Sequence, residues 1–121
     1  MQPGFTYSRF LFFTALLQGI YYIITGIWPL MHIPSFILIT GPKYDIWLVK
    51  TVGVLILVQG IVIISAALSK RISKEIFMLS VGAAAGLTII DVYYASIDRI
   101  WDVYLLDALA EVLLIILWLV D

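Results

Sequence analysis

The chain lacks cysteine entirely and contains a single histidine, His32, among its 121 residues. Without cysteine it can form no disulfide, no thiolate metal site and no thiol redox centre. With one histidine, a multi-histidine metal or haem site within one chain is disfavoured. We therefore expect no cofactor and no metal, and the sequence specifies neither a reaction nor a substrate.

Charge is also scarce, since only 12% of the residues are Asp, Glu, Lys or Arg, against about a quarter in soluble domains. The formal net charge of -1 gives no reason to expect a nucleic-acid partner. Apolar residues fill the chain instead: 64% are hydrophobic and the mean hydropathy is +1.13. This composition is typical of an integral membrane protein, so the first expected partner is the lipid bilayer.

Four apolar runs are each long enough to cross the hydrocarbon core as a helix, which takes about 20 residues. They cover roughly 10–30, 46–68, 76–95 and 103–120, with short polar or turn-forming segments between them. We predict an all-α fold, a four-helix transmembrane bundle forming one domain over 1–121. The apolar stretch 32–39 is too short to span, and either an interfacial or re-entrant segment or a hydrophobic loop fits it.

Basic residues predict the direction of the spans. Lys70, Arg71 and Lys74 crowd one short connection, and connections rich in Lys and Arg stay on the cytoplasmic side. Both termini are then cytoplasmic as well, because two spans lie on each side of that connection. The expected location is the plasma (inner) membrane.

Each predicted span carries one polar or small-residue stripe, with members three or four residues apart and so on one side of a helix. Lipid tolerates neither polarity nor gaps, so we expect these stripes to face one another. The candidate site residues on them are Gln18, Tyr21, Lys50, Asp91, Tyr94, Asp107 and Glu111. The third span also contains Gly82 and Gly86, a GxxxG pattern that allows close helix approach, and a neighbour within the same chain is favoured over a second copy.

The charged candidates share one depth. At 1.5 Å rise per residue, Lys50, Asp91, Asp107 and Glu111 all fall in the outer half of the bilayer. An isolated charge at mid-bilayer costs about 3 kcal/mol on insertion scales, so we predict that Lys50 is the counter-ion of a carboxylate cluster. One lysine cannot neutralise three acids, and at least one acid is expected to be protonated at neutral pH. The alternative is that the charges near the boundary snorkel to the interface.

Such a cluster favours a protein that binds a small or lipid-like ligand, with the surplus negative charge attracting an amphiphilic or cationic molecule. One alternative is a non-catalytic structural or accessory subunit, a homo-oligomer or part of a membrane complex, in which buried charges fix helix register. Another is an intramembrane enzyme that transfers protons on a lipid-like substrate. No catalytic residue is assigned.

Several short stretches together resemble a known group. They are Gly26-Ile27-Trp28-Pro29, Thr40-Gly41-Pro42-Lys43, Lys50 with Gly53 three positions later, Asp91-Val92-Tyr93-Tyr94, and Tyr104-Leu105-Leu106-Asp107-Ala108. In layout the chain resembles small four-helix bacterial integral membrane proteins, loosely the DoxX-like group. The resemblance implies a four-helix fold in a bacterial membrane. It implies no chemistry, because the group has no single established activity.

Overall fold

A computed structural model of the chain describes residues 5–6 and 8–120, with side chains from residue 8 onward. Within these residues it contains five helices and one pair of short strands. In chain order the elements are β1 (Phe5–Thr6), α1 (Arg9–Met31), α2 (Ile33–Thr40), α3 (Ile46–Leu68), β2 (Ile72–Ser73), α4 (Lys74–Ser96) and α5 (Tyr104–Val120). The predicted all-α class is confirmed.

Three of the helices are long and apolar enough to cross a membrane. These are α1, α3 and α4, each of 23 residues and therefore about 34 Å long. The fourth predicted span is α5, whose 17 residues give about 25 Å of helix. We call the end of the bundle that holds residues 69–73 the inner end, following the predicted orientation, and the opposite end the outer end.

The apolar stretch 32–39 forms the short helix α2, so the loop interpretation of this stretch is wrong. Pro34 lies in its first turn, where a missing N–H leaves no helical hydrogen bond unmade. The Trp28 indole holds α2 against the end of α1, because its Nε1 donates to Ser35 Oγ at 2.9 Å and its ring stands edge-on to Phe36. The segment therefore packs against the outer end of α1.

Helices α1 and α3 form an antiparallel pair around four glycines. A Cβ on Gly26 would lie 2.6 Å from the Gly53 carbonyl oxygen, and one on Gly60 would lie 2.7 Å from the Gly19 carbonyl oxygen. Glycines spaced by seven residues on both helices thus let the two backbones touch at two levels. Helix α4 packs mainly on α5.

The GxxxG pattern of α4 takes no part in this packing. A Cβ added to Gly82 or to Gly86 would meet nothing within 4 Å, so a neighbour within the described part of the chain was the wrong prediction. The reason is the rotation of α4, which turns Ser80, Ala84 and Asp91 inward. Gly82 lies about 200° from Ser80 around the helix, on the opposite face.

Strands β1 and β2 pair antiparallel, with Phe5 opposite Ser73 and Thr6 opposite Ile72. The N-terminal segment and the connection from α3 to α4 therefore lie at the same end of the bundle. Above them lies the apolar core, formed by Leu11, Ala15, Tyr22, Ile63, Ala67, Ile72 and Trp118. This core closes the inner half of the bundle and leaves the polar side chains toward the outer half.

Candidate ligand site

Two polar side chains on one face of α1 reach the interior of the bundle. Gln18 and Tyr22 are four residues apart and almost completely buried, with exposed fractions of 0% and 1%. Tyr21 is half-buried beside them. Helix α1 thus presents an amide and two phenols to α4 and α5, which carry the acids.

In the inner part of this polar seam the Gln18 amide is fully paired, whereas the buried Ser80 hydroxyl beside it has no hydrogen-bond partner. Gln18 Nε2 donates to the Ser80 carbonyl oxygen at 3.0 Å, and Trp118 Nε1 donates to Gln18 Oε1 at 2.6 Å. The Trp118 ring also stands edge-on to Phe77, with ring centroids 5.8 Å apart. One amide therefore ties α1, α4 and α5 together, and both of its polar atoms are satisfied.

The outer part contains the three acids. The Tyr22 hydroxyl donates to Glu111 Oε2 at 3.0 Å, and the Tyr21 hydroxyl donates to Asp107 Oδ1. Asp91 is the third acid and is almost completely buried on the face of α4 that also carries Ser80 and Ala84. We call Asp91, Asp107 and Glu111, with the two tyrosine hydroxyls, the carboxyl cluster.

The carboxyl cluster has more acceptors than donors. Glu111 is 0% exposed and its Oε1 has no hydrogen-bond partner, and Asp91 is 4% exposed and its Oδ2 has none either. No lysine or arginine among residues 8–120 forms an ion pair with any of the three acids. Buried carboxylates without such a partner are costly to keep ionised.

Lys50 does not lie in this cluster. It is exposed on α3 and forms no ion pair within the described residues, so the structure does not place it as the counter-ion. The predicted stripe that joins Lys50 to Gly53 does not stay on one side of α3. At about 100° per residue, Lys50 lies about 60° to one side of Gly53, and the core-facing Ile56 lies about 60° to the other side. Close packing of Gly53 and Gly60 on α1 fixes the rotation of α3 and leaves Lys50 outside.

Tyr94 also lies outside the cluster. Its side chain is 38% exposed and stands edge-on to the Tyr93 ring at 5.0 Å. Of the candidates from the sequence, the structure thus brings together Tyr21, Asp91, Asp107 and Glu111. Gln18 lies beside them in the separate inner tie.

The basic residue at the outer end of α5 is Lys43. Its Nζ lies 5.2 Å from the centre of the Tyr104 ring, one helical turn before Asp107, and donates to oxygens of Thr40 and Gly41. Gly41 has φ of 103° and packs so tightly on Trp101 that a Cβ would lie 2.9 Å from that ring. The connections before α3 and α5 therefore meet over the outer side of the cluster.

Sequence reasoning did not assign Tyr22, Trp118 or Lys43 to the site. Tyr22 carried a usable signal, since it is four residues from Gln18 and so on the same helix face. Trp118 carried one too, since it lies seven residues after Glu111 on the same stripe of the fourth span. Lys43 carried none, because its role depends on how the outer connections dock in three dimensions. No protein-family model matches this chain, and no curated protein or solved structure matches it either.

Proposed function

We propose that this chain is a plasma-membrane protein that binds a small amphiphilic molecule with a positively charged head group in its carboxyl cluster. In this proposal α5 is the fourth membrane span, and both termini are cytoplasmic because the basic connection between α3 and α4 stays on that side. Asp91 lies five residues before the end of α4, about 7.5 Å below the outer end of that helix. The ligand therefore enters from the outer side.

The observation that carries the proposal is the pair of unpartnered oxygens, Glu111 Oε1 and Asp91 Oδ2. A cluster that served only to fix helix register would be expected to satisfy its buried acceptors, as the Gln18 tie does. Open acceptors next to ionisable groups instead favour a donor that arrives with a ligand. That donor or charge has no counterpart among the described side chains.

The chemistry of the cluster narrows the ligand class. Within the described residues no three His, Cys, Asp or Glu side chains converge closely enough to hold a metal ion, which favours an organic cation. The surrounding surface is apolar, so a ligand with a hydrocarbon tail matches it. Tyr21 and Tyr22 each present an aromatic ring beside an acid, and such rings favour alkylated ammonium groups.

A second candidate function is an accessory subunit of a membrane complex. It is favoured by Gly82 and Gly86, which face away from the rest of the chain and leave room for a close helix neighbour. The two functions are compatible, since the glycine face of α4 and the carboxyl cluster lie on opposite sides of that helix.

Native mass spectrometry of the protein in mild detergent tests the proposal. We expect a bound small mass on the wild type that is lost in Glu111→Gln and in Asp91→Asn, because each variant removes a negative charge while keeping the side-chain shape. Tyr94→Phe is the matched control, since it changes a polar group three residues from Asp91 but outside the cluster. A small mass that persists in both acid variants would contradict a ligand at this site.

A further inference from the structure

We propose that the inner end of the bundle binds anionic phospholipid, with exposed basic side chains that hold the phosphate groups of the surrounding leaflet. These side chains are Arg9, Lys70, Arg71 and Lys74, and we call them the basic patch. The proposal is independent of the carboxyl cluster, which lies toward the outer end and is proposed to take a cation.

Charge is distributed differently at the two ends of the bundle. All four members of the basic patch are exposed, and the single acid beside them among the described residues is Glu75. At the outer end both signs are mixed, since Asp98, Arg99 and Asp102 lie close together in one connection. Within the described chain, the inner end therefore carries the local excess of positive charge, and such an excess attracts an anionic partner.

The strand pair brings the basic patch together. Its members come from two distant parts of the sequence, the start of α1 and the connection from α3 to α4. Because Thr6 pairs with Ile72, the segment that leads into α1 lies beside the strand that follows Arg71. Ile72 is almost completely buried in the apolar core, so it fixes this connection on the bundle. The four charges thus lie on one end of the folded chain.

The basic patch lies at the depth of lipid phosphate groups. Arg9 and Lys74 are the first residues of α1 and α4, and Lys70 follows the last residue of α3, Leu68, by two positions. These three helices are long and apolar enough to cross a membrane, so their ends reach the headgroup region beyond the hydrocarbon core. A basic side chain near an anionic leaflet adds about fivefold to the affinity.

Helix stability accounts for only half of the basic patch. Lys70 and Arg71 follow the C-terminus of α3, where positive charge is favourable, and the Arg71 N–H donates to the Ala66 carbonyl oxygen at 2.9 Å. Arg9 and Lys74 instead begin α1 and α4, where the helix dipole makes a basic side chain unfavourable. The first turn of α1 contains no acid that would offset this. A lipid phosphate beside these two residues would remove the conflict.

The surface next to the charges favours a lipid over a soluble anion. Large apolar side chains are exposed on the adjoining turns of the three helices, with exposed fractions of 63% for Phe13, 65% for Leu68 and 66% for Met78. A phospholipid places its phosphate at the charges and its acyl chains along these side chains. A free phosphate ion or an acidic peptide would match the charges alone.

Native mass spectrometry tests the proposal on the whole chain, purified in dodecyl maltoside and freed of lipid. Dioleoylphosphatidylglycerol, which is anionic, and dioleoylphosphatidylcholine, which has the same tails and no net charge, are added at equal concentration. We expect the anionic lipid to bind at least about 30-fold more tightly, and added salt to reduce the difference. Equal binding of the two lipids would overturn the proposal, and charges that only orient the spans would give that result.

The double variant Arg9→Gln, Lys74→Gln removes the two charges that helix stability does not explain. We expect phosphatidylglycerol to bind about fivefold more weakly for each charge removed, with phosphatidylcholine binding unchanged. Without lipid, the melting temperature is expected to equal or exceed that of the wild type, because each helix loses an unfavourable charge at its N-terminus. Unchanged lipid binding, or a lower melting temperature without lipid, would overturn the proposal.

The matched control is Lys50→Gln, Arg99→Gln, which removes two exposed basic side chains toward the outer end. We expect it to keep the lipid preference of the wild type. An equal loss in this control would overturn the proposal, because the net charge of the protein would then select the lipid. The known mass of the added lipid distinguishes it from a mass bound at the carboxyl cluster, so a failure of this proposal leaves the proposed function standing.

Discussion

At the residue scale, the most informative side chains are those whose surroundings are incomplete. Glu111 is fully buried: its Oε2 accepts a hydrogen bond from Tyr22, and its Oε1 has no partner. Asp91 is almost completely buried, and its Oδ2 has no partner. Gln18, at a similar degree of burial, has both polar atoms satisfied. The contrast between these residues separates the proposed ligand site from the structural tie beside it.

The depth of the three acids in the membrane was predictable from the sequence, but the side chains that they contact were not. Counting residues from the ends of the apolar runs puts Asp91, Asp107 and Glu111 near one level, and the structure does bring them together. The same count puts Lys50 there too, yet depth carries no information about which side of a helix faces inward. That side is set for α3 by Gly53 and Gly60, whose packing against α1 turns Lys50 outward.

Lys50→Leu is expected to fold and to retain the bound small mass as the wild type does. Lys50 is exposed and pairs with no acid within the described residues, so its removal leaves the cluster unchanged. A leucine also avoids the cost of a charge near lipid, which is at most about 3 kcal/mol at mid-bilayer and less near the boundary. The measurements are the melting temperature in detergent and the bound small mass in native mass spectra. A loss of fold or of binding would restore Lys50 as the counter-ion of the acids.

At the scale of elements, the antiparallel pair of α1 and α3 determines how the site is presented. Its glycine contacts fix the rotation of α1, and that rotation points Gln18 and Tyr22 toward α5. The sequence offers two sets of spaced glycines, those of α1 and α3 and the GxxxG of α4. Spacing alone cannot tell which set is packed, because both allow close approach and only the docked structure shows which has a neighbour.

The same substitution at two glycines is expected to give opposite results. Gly26→Ala places a Cβ 2.6 Å from backbone atoms of Gly53 and Leu57, which cannot move aside without separating the helices. We expect a loss of about 1–3 kcal/mol in the free energy of unfolding. Gly82→Ala meets nothing within 4 Å and is expected to leave stability unchanged or raise it by up to about 1 kcal/mol, since alanine favours helix.

Unfolding in mixed detergent micelles measures both variants against the wild type. Equal effects of the two substitutions would contradict the packing of α1 on α3 described above. A strong loss in Gly82→Ala alone would instead indicate that the exposed face of α4 is occupied in the native protein.

At the scale of the whole molecule, hydropathy predicts the long helices well, because a helix that crosses lipid must be continuously apolar. The predicted spans 46–68 and 103–120 agree closely with α3 (Ile46–Leu68) and α5 (Tyr104–Val120). The strand pair was not predicted, and for the stretch that forms α2 the sequence left an interfacial or re-entrant segment and a loop as alternatives. Two-residue strands carry no periodicity, and α2 is shorter than any span.

The absence of cysteine makes the orientation of the molecule testable without further engineering. Single cysteines are introduced at Ser69, in the connection between α3 and α4, and at Asp98, in the connection between α4 and α5. With an impermeant maleimide on intact cells, we expect Asp98→Cys to be labelled and Ser69→Cys to be labelled only after the membrane is opened. The reverse pattern would invert the proposed topology, and labelling of both from outside would contradict α4 as a span.

The pairing of Phe5–Thr6 with Ile72–Ser73 has a consequence for the order of synthesis. At roughly 5–20 residues per second, the first strand leaves the ribosome roughly 3–14 s before its partner exists. The partner can reach it only after the chain has passed through α1 and α3 and returned to the end from which it started. The strand pair can therefore close only when the first helical hairpin is complete.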